Sequence, residues 1–206
     1  MKVSELAREA DVSVATVKYY LREGLLHAGR LTAATQADYD QTHLDRLRLI
    51  RVLRDIGGVP VASIGAVLDV IENSRSSLWD ALGVAHDALA LHPAPGDGES
   101  TTREEIAAYL RAKGWHVRDE SPALTAAAEA LDVARELWGP TGPELFDPYV
   151  DPVDQLADFE LAYIDESNGK AETVRQVIVG TVVFERALVA LRRLAQQHHS
   201  DIRFNR

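Results

Sequence analysis

The stretch Ser-Val-Ala-Thr-Val-Lys-Tyr-Tyr-Leu-Arg-Glu-Gly, residues 13–24, decides the fold of the first part of this chain. As a helix it places three apolar side chains on one face, at Val14, Val17 and Leu21. The opposite face then carries small, hydroxyl, cationic and aromatic side chains: Ala15, Thr16, Lys18, Tyr19 and Arg22. Because such groups meet base edges and phosphates in protein–DNA complexes, this face suits a helix that enters a major groove.

The residues on either side of this helix predict a helix-turn-helix followed by a wing. Ser4 is the expected N-cap of a first helix that runs to Ala10, and Ser13 is the expected N-cap of the second. Gly24 ends the second helix, as glycine does where a left-handed residue is needed. The short, irregular pattern of residues 25–39 predicts a two-stranded wing.

Two further helices are predicted before residue 72. Asp40 caps a third helix that continues to about Asp55 and ends at Gly57-Gly58. Pro60 opens a fourth helix, since proline is favoured in a first turn. Its apolar residues follow helical spacing: Ile64, Val67, Leu68 and Ile71.

Residues 73–206 read as helices only. Thr102-Arg103-Glu104-Glu105 predicts a capping box, and segments rich in proline and glycine separate the helices. The predicted helices are 77–91, 102–114, 121–138, 152–166 and 170–199. The predicted fold class is therefore mainly α: an N-terminal winged helix-turn-helix (four helices plus a small β wing), followed by an all-helical C-terminal domain. The predicted domains are 1–72, for DNA binding, and 73–206, for effector binding and dimerisation.

Composition narrows the function classes. The 206 residues include no cysteine, which excludes disulfides, thiolate metal sites and thiol redox sensing. The first 20 residues lack the apolar segment of a secretory signal, and no apolar stretch is long enough to span a bilayer. We therefore expect a cytoplasmic protein with no membrane partner.

The net charge of −10 is unevenly distributed. Residues 1–72 hold nine Lys+Arg and ten Asp+Glu, whereas residues 73–206 hold thirteen and twenty-two. A near-neutral module can still present a local cationic face to phosphates. Because DNA repels the acidic second half, we expect that half to be held away from the duplex.

Residues 1 to about 72 resemble the DNA-binding domain of the MerR family of bacterial transcription regulators. The matching pieces are Ser4-Glu5-Leu6-Ala7, Val12-Ser13-Val14, Lys18-Tyr19-Tyr20, Arg22-Glu23-Gly24-Leu25-Leu26, Asp38-Tyr39-Asp40 and Leu44-Asp45-Arg46-Leu47-Arg48-Leu49-Ile50. The resemblance implies a homodimer that binds pseudo-palindromic promoter sites in double-stranded DNA. It also implies an indirect partner, RNA polymerase, because many members twist an over-long promoter spacer into a usable form.

The resemblance assigns DNA contacts to Thr16, Lys18, Tyr19, Arg22, Arg30, Tyr39 and Arg46. With the neighbouring residues, the predicted DNA-binding set is Ser13, Ala15, Thr16, Lys18, Tyr19, Tyr20, Arg22, Arg30, Tyr39 and Arg46. Two members have a second interpretation: Tyr20 as a core residue, and Tyr39 as a pin between wing and third helix. The wing also departs from the family pattern. It has Thr35-Gln36-Ala37 where members often have Gly-Tyr-Arg, so a cationic phosphate contact is missing unless Arg30 replaces it.

The second half offers one candidate ligand site. Its aromatic residues predict either ordinary core packing or a pocket for a small organic effector, with Glu160 as an anchor for a cationic ligand. The pocket residues in the second interpretation are Trp115, Trp138, Tyr149, Glu160 and Tyr163. A protein partner, or no effector at all, remains an alternative.

Metal binding and catalysis are not predicted. His198-His199 have no cysteine companions, and Asp154 and Asp158 are typical of a solvated helix face. No phosphate-binding loop, nucleophile elbow or His-Glu-x-x-His motif is present. We therefore expect no catalytic residues and no cofactor.

The last predicted helix is apolar over a wide arc, which predicts burial. It is either the central helix of the C-terminal bundle or a helix shared across a dimer. Its apolar residues are Val174, Val177, Ile178, Val182, Val183, Phe184, Leu188, Val189, Leu191 and Leu194.

The leading hypothesis is a transcription regulator. A second is an architectural protein that bends DNA as excisionases do, although such proteins usually lack a large helical partner domain. A third is an enzyme with a DNA-binding leader, for which Asp154 and Asp158 are the only candidates.

Overall fold

A computed structural model of the protein describes residues 1–33, 36–72, 77–89 and 100–205. Contacts divide the chain into two compact units. Unit 1 comprises residues 1–88 and 165–206, and unit 2 comprises residues 89–164. This division differs from the predicted boundary after residue 72, because the last helix of the chain packs against elements of the N-terminal module.

The N-terminal helix-turn-helix forms as predicted, with one correction. Helix α1 spans Val3–Glu9 and α2 spans Val14–Arg22. The N-cap of α1 is Lys2, so the predicted cap at Ser4 is wrong. The helix starts earlier because the Met1 ammonium donates to the Tyr39 carbonyl at 2.7 Å and the Tyr39 N–H donates to the Met1 carbonyl at 2.8 Å.

The predicted wing is a two-stranded antiparallel sheet. Strand β1 spans Arg30–Ala33, β2 spans Gln36–Asp38, and Arg30 stands opposite Asp38. The chain enters β1 through Gly29, where an added Cβ would lie 2.8 Å from the Asp38 carbonyl oxygen. Only glycine permits this approach without a shift of the second strand.

Asp40 and the Gly57-Gly58 pair delimit the third helix as predicted. Helix α3, Gln41–Arg51, continues into a π-helical turn at Val52–Ile56. The Asp40 carboxylate accepts from the N–H of Thr42 and of His43, which satisfies two N–H groups that have no partner inside the helix. Helix α4, Val61–Glu72, follows Pro60.

One core holds these elements together. The residues with less than 2% exposure include side chains from α1, α2, α3, the π-helical turn and α4: Leu6, Val17, Tyr20, Leu47, Ile50, Leu53, Ile64 and Val67. Helix α5, Leu78–Leu89, also belongs to unit 1 except for its last residue, and it buries Ala81 and Ala85. Ser77 caps it, accepting from the Asp80 N–H at 3.0 Å. The predicted end of this helix at residue 91 and most of the predicted loop 92–101 lie outside the described residues.

Unit 2 contains α6, α7 and α8. Their bounds are Thr101–Ala112, Pro122–Trp138 and Asp147–Leu161, with a 3-10 turn at Pro143–Phe146 before α8. Helix α7 matches its prediction. Helix α8 begins five residues earlier than the predicted start at Pro152, because Pro148 also sits in a first turn, where its missing N–H costs nothing.

The predicted capping box at Thr102 is wrong, because its members bind α7 instead. Ser100 is the N-cap of α6, and the Thr102 hydroxyl donates to Asp132 at 2.6 Å. The Arg135 guanidinium makes two bonds to Glu105, at 2.7 and 2.9 Å, and one to the Thr102 hydroxyl at 3.0 Å. This polar network joins α6 to α7 beside an apolar core centred on Ile106, Leu124 and Leu131.

Helix α9, Lys170–Phe204, follows a 3-10 turn at Glu166–Asn168. Its first part packs on the π-helical turn and on α4, and Val174, Val177, Ile178 and Val182 are buried there. Gly57 allows the close approach, since an added Cβ would lie 3.2 Å from Val182. The helix is therefore not the central helix of the C-terminal bundle, and the apolar side chains from residue 183 onward are exposed in the single chain.

The fold class is as predicted: over the described ranges the chain forms helices with one small antiparallel sheet, and its N-terminal part is a winged helix-turn-helix. Among the described residues, no helix is long and apolar enough to cross a membrane.

Candidate DNA-binding surface and ligand cavity

The outer face of α2 is open to solvent. Ser13, Ala15, Lys18 and Arg22 are exposed, and Thr16 and Tyr19 are half-buried. Ser13 fixes the start of this face, because its Oγ accepts from the Thr16 N–H at 2.9 Å and lies 2.7 Å from the Thr16 hydroxyl oxygen. A capped first turn holds these small and hydroxyl side chains at a defined position, as recognition of base edges requires.

The cations of α2 lie along the same face. The Arg22 side chain is 71% exposed, and its guanidinium carbon lies 5.3 Å from the centre of the Tyr19 ring. Arg22 also pairs with its neighbour Glu23 at 3.3 Å. An exposed pair of this kind contributes little to stability, so exchange of Glu23 for another anion costs the Arg22 guanidinium little.

The wing adds a second cationic position. Arg30 is exposed on β1. The opposing Asp38 is already paired with Lys2, whose ammonium lies 2.9 Å from the carboxylate. The hydrogen bond from Lys2 lowers the pKa of Asp38, with smaller contributions from other neighbouring cations, Arg30 among them. Lys2 thus neutralises the acid beside Arg30, a role that the sequence analysis missed.

Tyr20 does not belong to this surface. It is 1% exposed, and its hydroxyl accepts from Arg54 at 2.5 Å. Burial raises its pKa, against a smaller lowering by Arg54. Of the two interpretations of Tyr20, the structure supports core packing, because i+3 from Val17 places it on the buried side of α2.

This assignment predicts how Tyr20→Phe behaves. Loss of the hydroxyl removes one hydrogen bond to a partly exposed cation, so we expect unfolding free energy to fall by about 1 kcal/mol. DNA affinity of the folded protein should stay unchanged. Urea denaturation and a DNA-binding titration of the same preparation measure the two quantities. A large loss of affinity with little loss of stability would return Tyr20 to the DNA surface.

Arg46 is also a structural residue. Its side chain is 10% exposed, its Nε donates to the Leu25 carbonyl at 2.5 Å, and its guanidinium pairs with Glu72. Burial lowers its pKa. Arg46 therefore ties α3 to the chain after α2 and to the end of α4, which disfavours the DNA contact implied by the resemblance.

Tyr39 is largely buried and holds the wing to α3. It is 9% exposed, and its ring meets His43 edge to face with 5.2 Å between ring centres. This favours the pin interpretation over a DNA contact. In the departing wing segment, Thr35 lies outside the described residues, whereas Gln36 and Ala37 belong to β2.

The difference in net charge is larger between the two units than between the two predicted domains. Residues 89–164 hold five Lys+Arg and fifteen Asp+Glu, so they account for the whole net charge of −10. Unit 1 holds seventeen of each kind and is neutral. The exposed cations of α2 and the wing therefore belong to a unit that carries no net negative charge.

Unit 2 contains an apolar cavity of about 260 Å³. Its lining combines side chains of α6, α7, the 3-10 turn and α8 with Trp115 and Val117 of the intervening segment. The residues are Ile106, Tyr109, Leu110, Trp115, Val117, Ala123, Leu124, Ala127, Phe146, Tyr149, Val150 and Val153.

Only part of the predicted ligand set lines this cavity. Trp115 and Tyr149 do, whereas Trp138 and Tyr163 are 75% and 73% exposed, and Glu160 is not among the lining residues. Tyr163 instead packs edge to face on Phe159, with 4.9 Å between ring centres. The predicted set of aromatic residues with a Glu160 anchor is therefore not brought together in this cavity, to which Trp115 and Tyr149 alone of the set contribute.

Three polar side chains beside the cavity bind each other. Asp147 accepts from the Tyr109 hydroxyl at 2.8 Å and pairs with the Lys113 ammonium at 2.7 Å. The bond from Lys113, followed by that from Tyr109, lowers the pKa of Asp147. The bond to Asp147 raises the pKa of Lys113, while burial and then Asp147 raise that of Tyr109. The acid and the base thus satisfy each other.

Known proteins resemble both parts of the chain. Residues 1–70 match the model of the MerR HTH family regulatory proteins. A crystal structure of the "putative transcriptional regulator SCO5550" from Streptomyces coelicolor A3(2) aligns with 99% of this chain and 98% of its own, with 33% identity and a TM-score of 0.75. The chain belongs to the MerR family.

A second relative agrees over a shorter length. The "HTH-type transcriptional regulator ZntR homolog" of Haemophilus influenzae is 25% identical over 121 residues, which are 59% of this chain and 83% of that protein. By its N-terminal module, the chain described here is thus a DNA-binding transcription regulator of the MerR family. SCO5550 shares the fold of this chain over nearly the full length.

Sequence reasoning missed several cavity residues of this MerR-family protein. Tyr109 and Leu110 follow Ile106 at i+3 and i+4, so helical periodicity alone places them together on one face of α6. Phe146 gave no such signal, because it lies in a 3-10 turn within the predicted loop.

No metal-binding group emerges from the parts of the chain that the structure describes. Across those residues, no cluster of three or more His, Asp or Glu side chains is arranged to hold an ion. Asp154 and Asp158 are both exposed on α8, as the solvated-face interpretation predicts. The rings of His198 and His199 contact each other edge to face, with 5.2 Å between ring centres, on the exposed end of α9.

Proposed function

We propose that the protein regulates transcription as a homodimer on a pseudo-palindromic promoter site, under control of unit 2. The observation that carries this proposal is the exposed outer face of α2, with Lys18 and Arg22 on a capped helix of a MerR-family module. We place its action in the bacterial cytoplasm, beside the chromosome.

The protein recognises DNA through two kinds of contact. Lys18 and Arg22 on α2 and Arg30 on the wing meet phosphates and set the register of the protein on the duplex. Ser13, Ala15 and Thr16 at the start of α2 face base edges, where the N-terminal end of a recognition helix lies in related folds. Tyr19 offers its hydroxyl to the DNA backbone, and its ring orients the Arg22 guanidinium.

A second copy of the chain covers the distal part of α9 in this proposal. The side chains of Phe184, Leu188 and Leu191 are spaced by four and three residues, as in a coiled-coil seam, and they are 42% to 63% exposed. Leu194 and Ile202 extend the apolar surface, at 59% and 60% exposure. The stretch from residue 184 to residue 204 is roughly 30 Å long, at about 1.5 Å per residue.

Exposed apolar surface of this length is unusual on a monomer and marks an interaction site. The first part of α9 packs on α4 and the π-helical turn of the same unit. A pair of α9 helices therefore joins two DNA-binding modules directly, which gives the two half-sites that a pseudo-palindrome needs. RNA polymerase takes part indirectly, through the promoter that the dimer deforms.

The DNA-binding proposal is tested by removing the two cations of α2. We expect Lys18→Ala and Arg22→Ala each to weaken binding and to reduce the slope of log affinity against log salt by about one unit. The duplex is one selected by the wild-type protein from a random library, and fluorescence anisotropy at several salt concentrations gives affinity and slope.

Arg111→Ala is the matched control, because it removes an exposed arginine from α6 in the acidic unit. It should change neither affinity nor slope by more than the error. If Lys18→Ala and Arg22→Ala behave like this control, the outer face of α2 is not the DNA surface. Failure of the library to enrich any common sequence would instead favour an architectural role.

A further inference from the structure

We propose that the cavity of unit 2 binds an uncharged, largely apolar organic molecule. Its role as an effector rests on the proposed function, but its occupancy does not, since the cavity lies wholly within residues 106–153.

The lining defines the chemistry of the ligand. Rings of Tyr109, Trp115, Phe146 and Tyr149 surround the space, and the remaining lining side chains are aliphatic. A concave site lined by aromatic and aliphatic side chains is typical of pockets that bind small organic molecules. Its volume of about 260 Å³ lies just below the usual range for ligand sites, which indicates a compact ligand.

The polar groups beside the cavity exclude a charged ligand group. Asp147, the carboxylate that contacts the lining residue Tyr109, already accepts from its hydroxyl and pairs with Lys113. A ligand cation at Asp147 would have to displace Lys113, and a ligand anion would enter a unit whose net charge is −10. Because burial of an unpaired charge in an apolar site is strongly unfavourable, the fitting ligand is neutral.

Because of the position of the cavity, a bound ligand affects the packing of α8. That helix has one buried residue among fifteen, Val150, which also lines the cavity. A ligand that contacts Tyr109 of α6, Leu124 of α7 and Val153 of α8 adds apolar contacts between all three helices. Since ligand binding stabilises the state that it prefers, the occupied unit 2 is the one with α8 more firmly packed.

Two dyes with the same ring system test the proposal on the full chain without DNA. N-phenyl-1-naphthylamine is neutral, and 8-anilinonaphthalene-1-sulfonate carries the same rings with one negative charge. We expect the neutral dye to bind saturably with one site per chain, and the sulfonate to bind at least about tenfold more weakly. A Trp79→Phe, Trp138→Phe background leaves Trp115 as the only tryptophan, whose fluorescence should change with the neutral dye alone.

A substitution that blocks the opening of the cavity locates the binding site. Ala123 lines the cavity and is itself exposed, so Ala123→Trp fills the opening without disturbing a buried position. Ala130→Trp is the control, an exposed alanine of the same helix that does not line the cavity. We expect the first variant to weaken neutral-dye binding by about tenfold or more and the second to leave it unchanged.

The proposal is overturned if the neutral dye does not saturate, if the sulfonate binds as tightly, or if both tryptophan variants behave alike. Circular dichroism of each variant shows whether it remains folded. Because DNA is absent, loss of dye binding leaves the α2 surface untouched, and failure of the Lys18 and Arg22 variants leaves the dye result standing.

Discussion

Leu191→Glu combined with Leu194→Glu should convert the protein from a dimer to a monomer and lower its affinity for a two-half-site duplex by about 10²- to 10⁴-fold. Both leucines are exposed in the single chain, at 63% and 59%. A carboxylate pair on each helix places like charges in the seam and removes the apolar area that drives pairing. Neither substitution touches the buried part of α9, so the fold should remain intact.

The size of the effect comes from tethering. When one module of a dimer is bound, the second meets its half-site at a high effective concentration, and a monomer loses this advantage entirely. Affinity for a single half-site should therefore change little. Light scattering coupled to size exclusion gives the mass of the protein, and anisotropy with one-site and two-site duplexes gives the affinities.

Added negative charge alone also weakens DNA binding, so a charge-matched control is needed. Gln196→Glu with Gln197→Glu adds the same charge to exposed positions of α9 that lie off the Phe184–Leu188–Leu191 seam. This control should remain dimeric and retain most of its affinity. A dimeric Leu191→Glu, Leu194→Glu protein would show that α9 does not form the interface.

The sequence predicted those elements whose signals are local. Ser13, Asp40 and Gly57-Gly58 mark helix ends by side-chain capping or by backbone freedom, and each acts within a few residues of its own position. The spacing of apolar residues on α2 is likewise local. These positions therefore needed no knowledge of tertiary contacts.

The errors at Ser4 and Thr102 come from longer-range competition. Met1 bonds to Tyr39, and Thr102 bonds to Asp132, across 38 and 30 residues of chain. A cap motif specifies only what its own residues can offer each other. Partners that arrive through folding can take the same hydroxyl or start the helix earlier, and one sequence window does not contain them.

The candidate sites show the same limit. The exposure of Lys18 and Arg22 was predicted because it follows from the helical pattern around Val14 and Val17. The burial of Arg46 was not predicted, since it depends on Leu25 and Glu72, 21 and 26 residues away. The cavity combines three helices and a turn, so periodicity gave its α6 face without showing which residues complete it.

The core of unit 2 offers the second large effect. Leu131 of α7 is fully buried in the cluster with Ile106, Leu124 and Ala128. We expect Leu131→Ala to lower the free energy of unfolding of unit 2 by about 2–5 kcal/mol, because it removes apolar contacts and leaves a cavity. A loss of this size is a large part of the stability of an ordinary domain.

The measurement must report on unit 2 by itself. Trp115 and Trp138 lie in unit 2 and Trp79 lies in unit 1, so a Trp79→Phe background makes tryptophan fluorescence specific for unit 2 during urea denaturation. Leu137→Ala is the matched control, the same change on the same helix at a side chain that is 68% exposed, and it should shift stability by less than about 0.5 kcal/mol. Equal shifts for the two variants would mean that α7 does not pack through Leu131.

Because the cavity proposed for the ligand shares Leu124 with this core, Leu131→Ala should also weaken binding of the neutral dye, whereas Leu137→Ala should not.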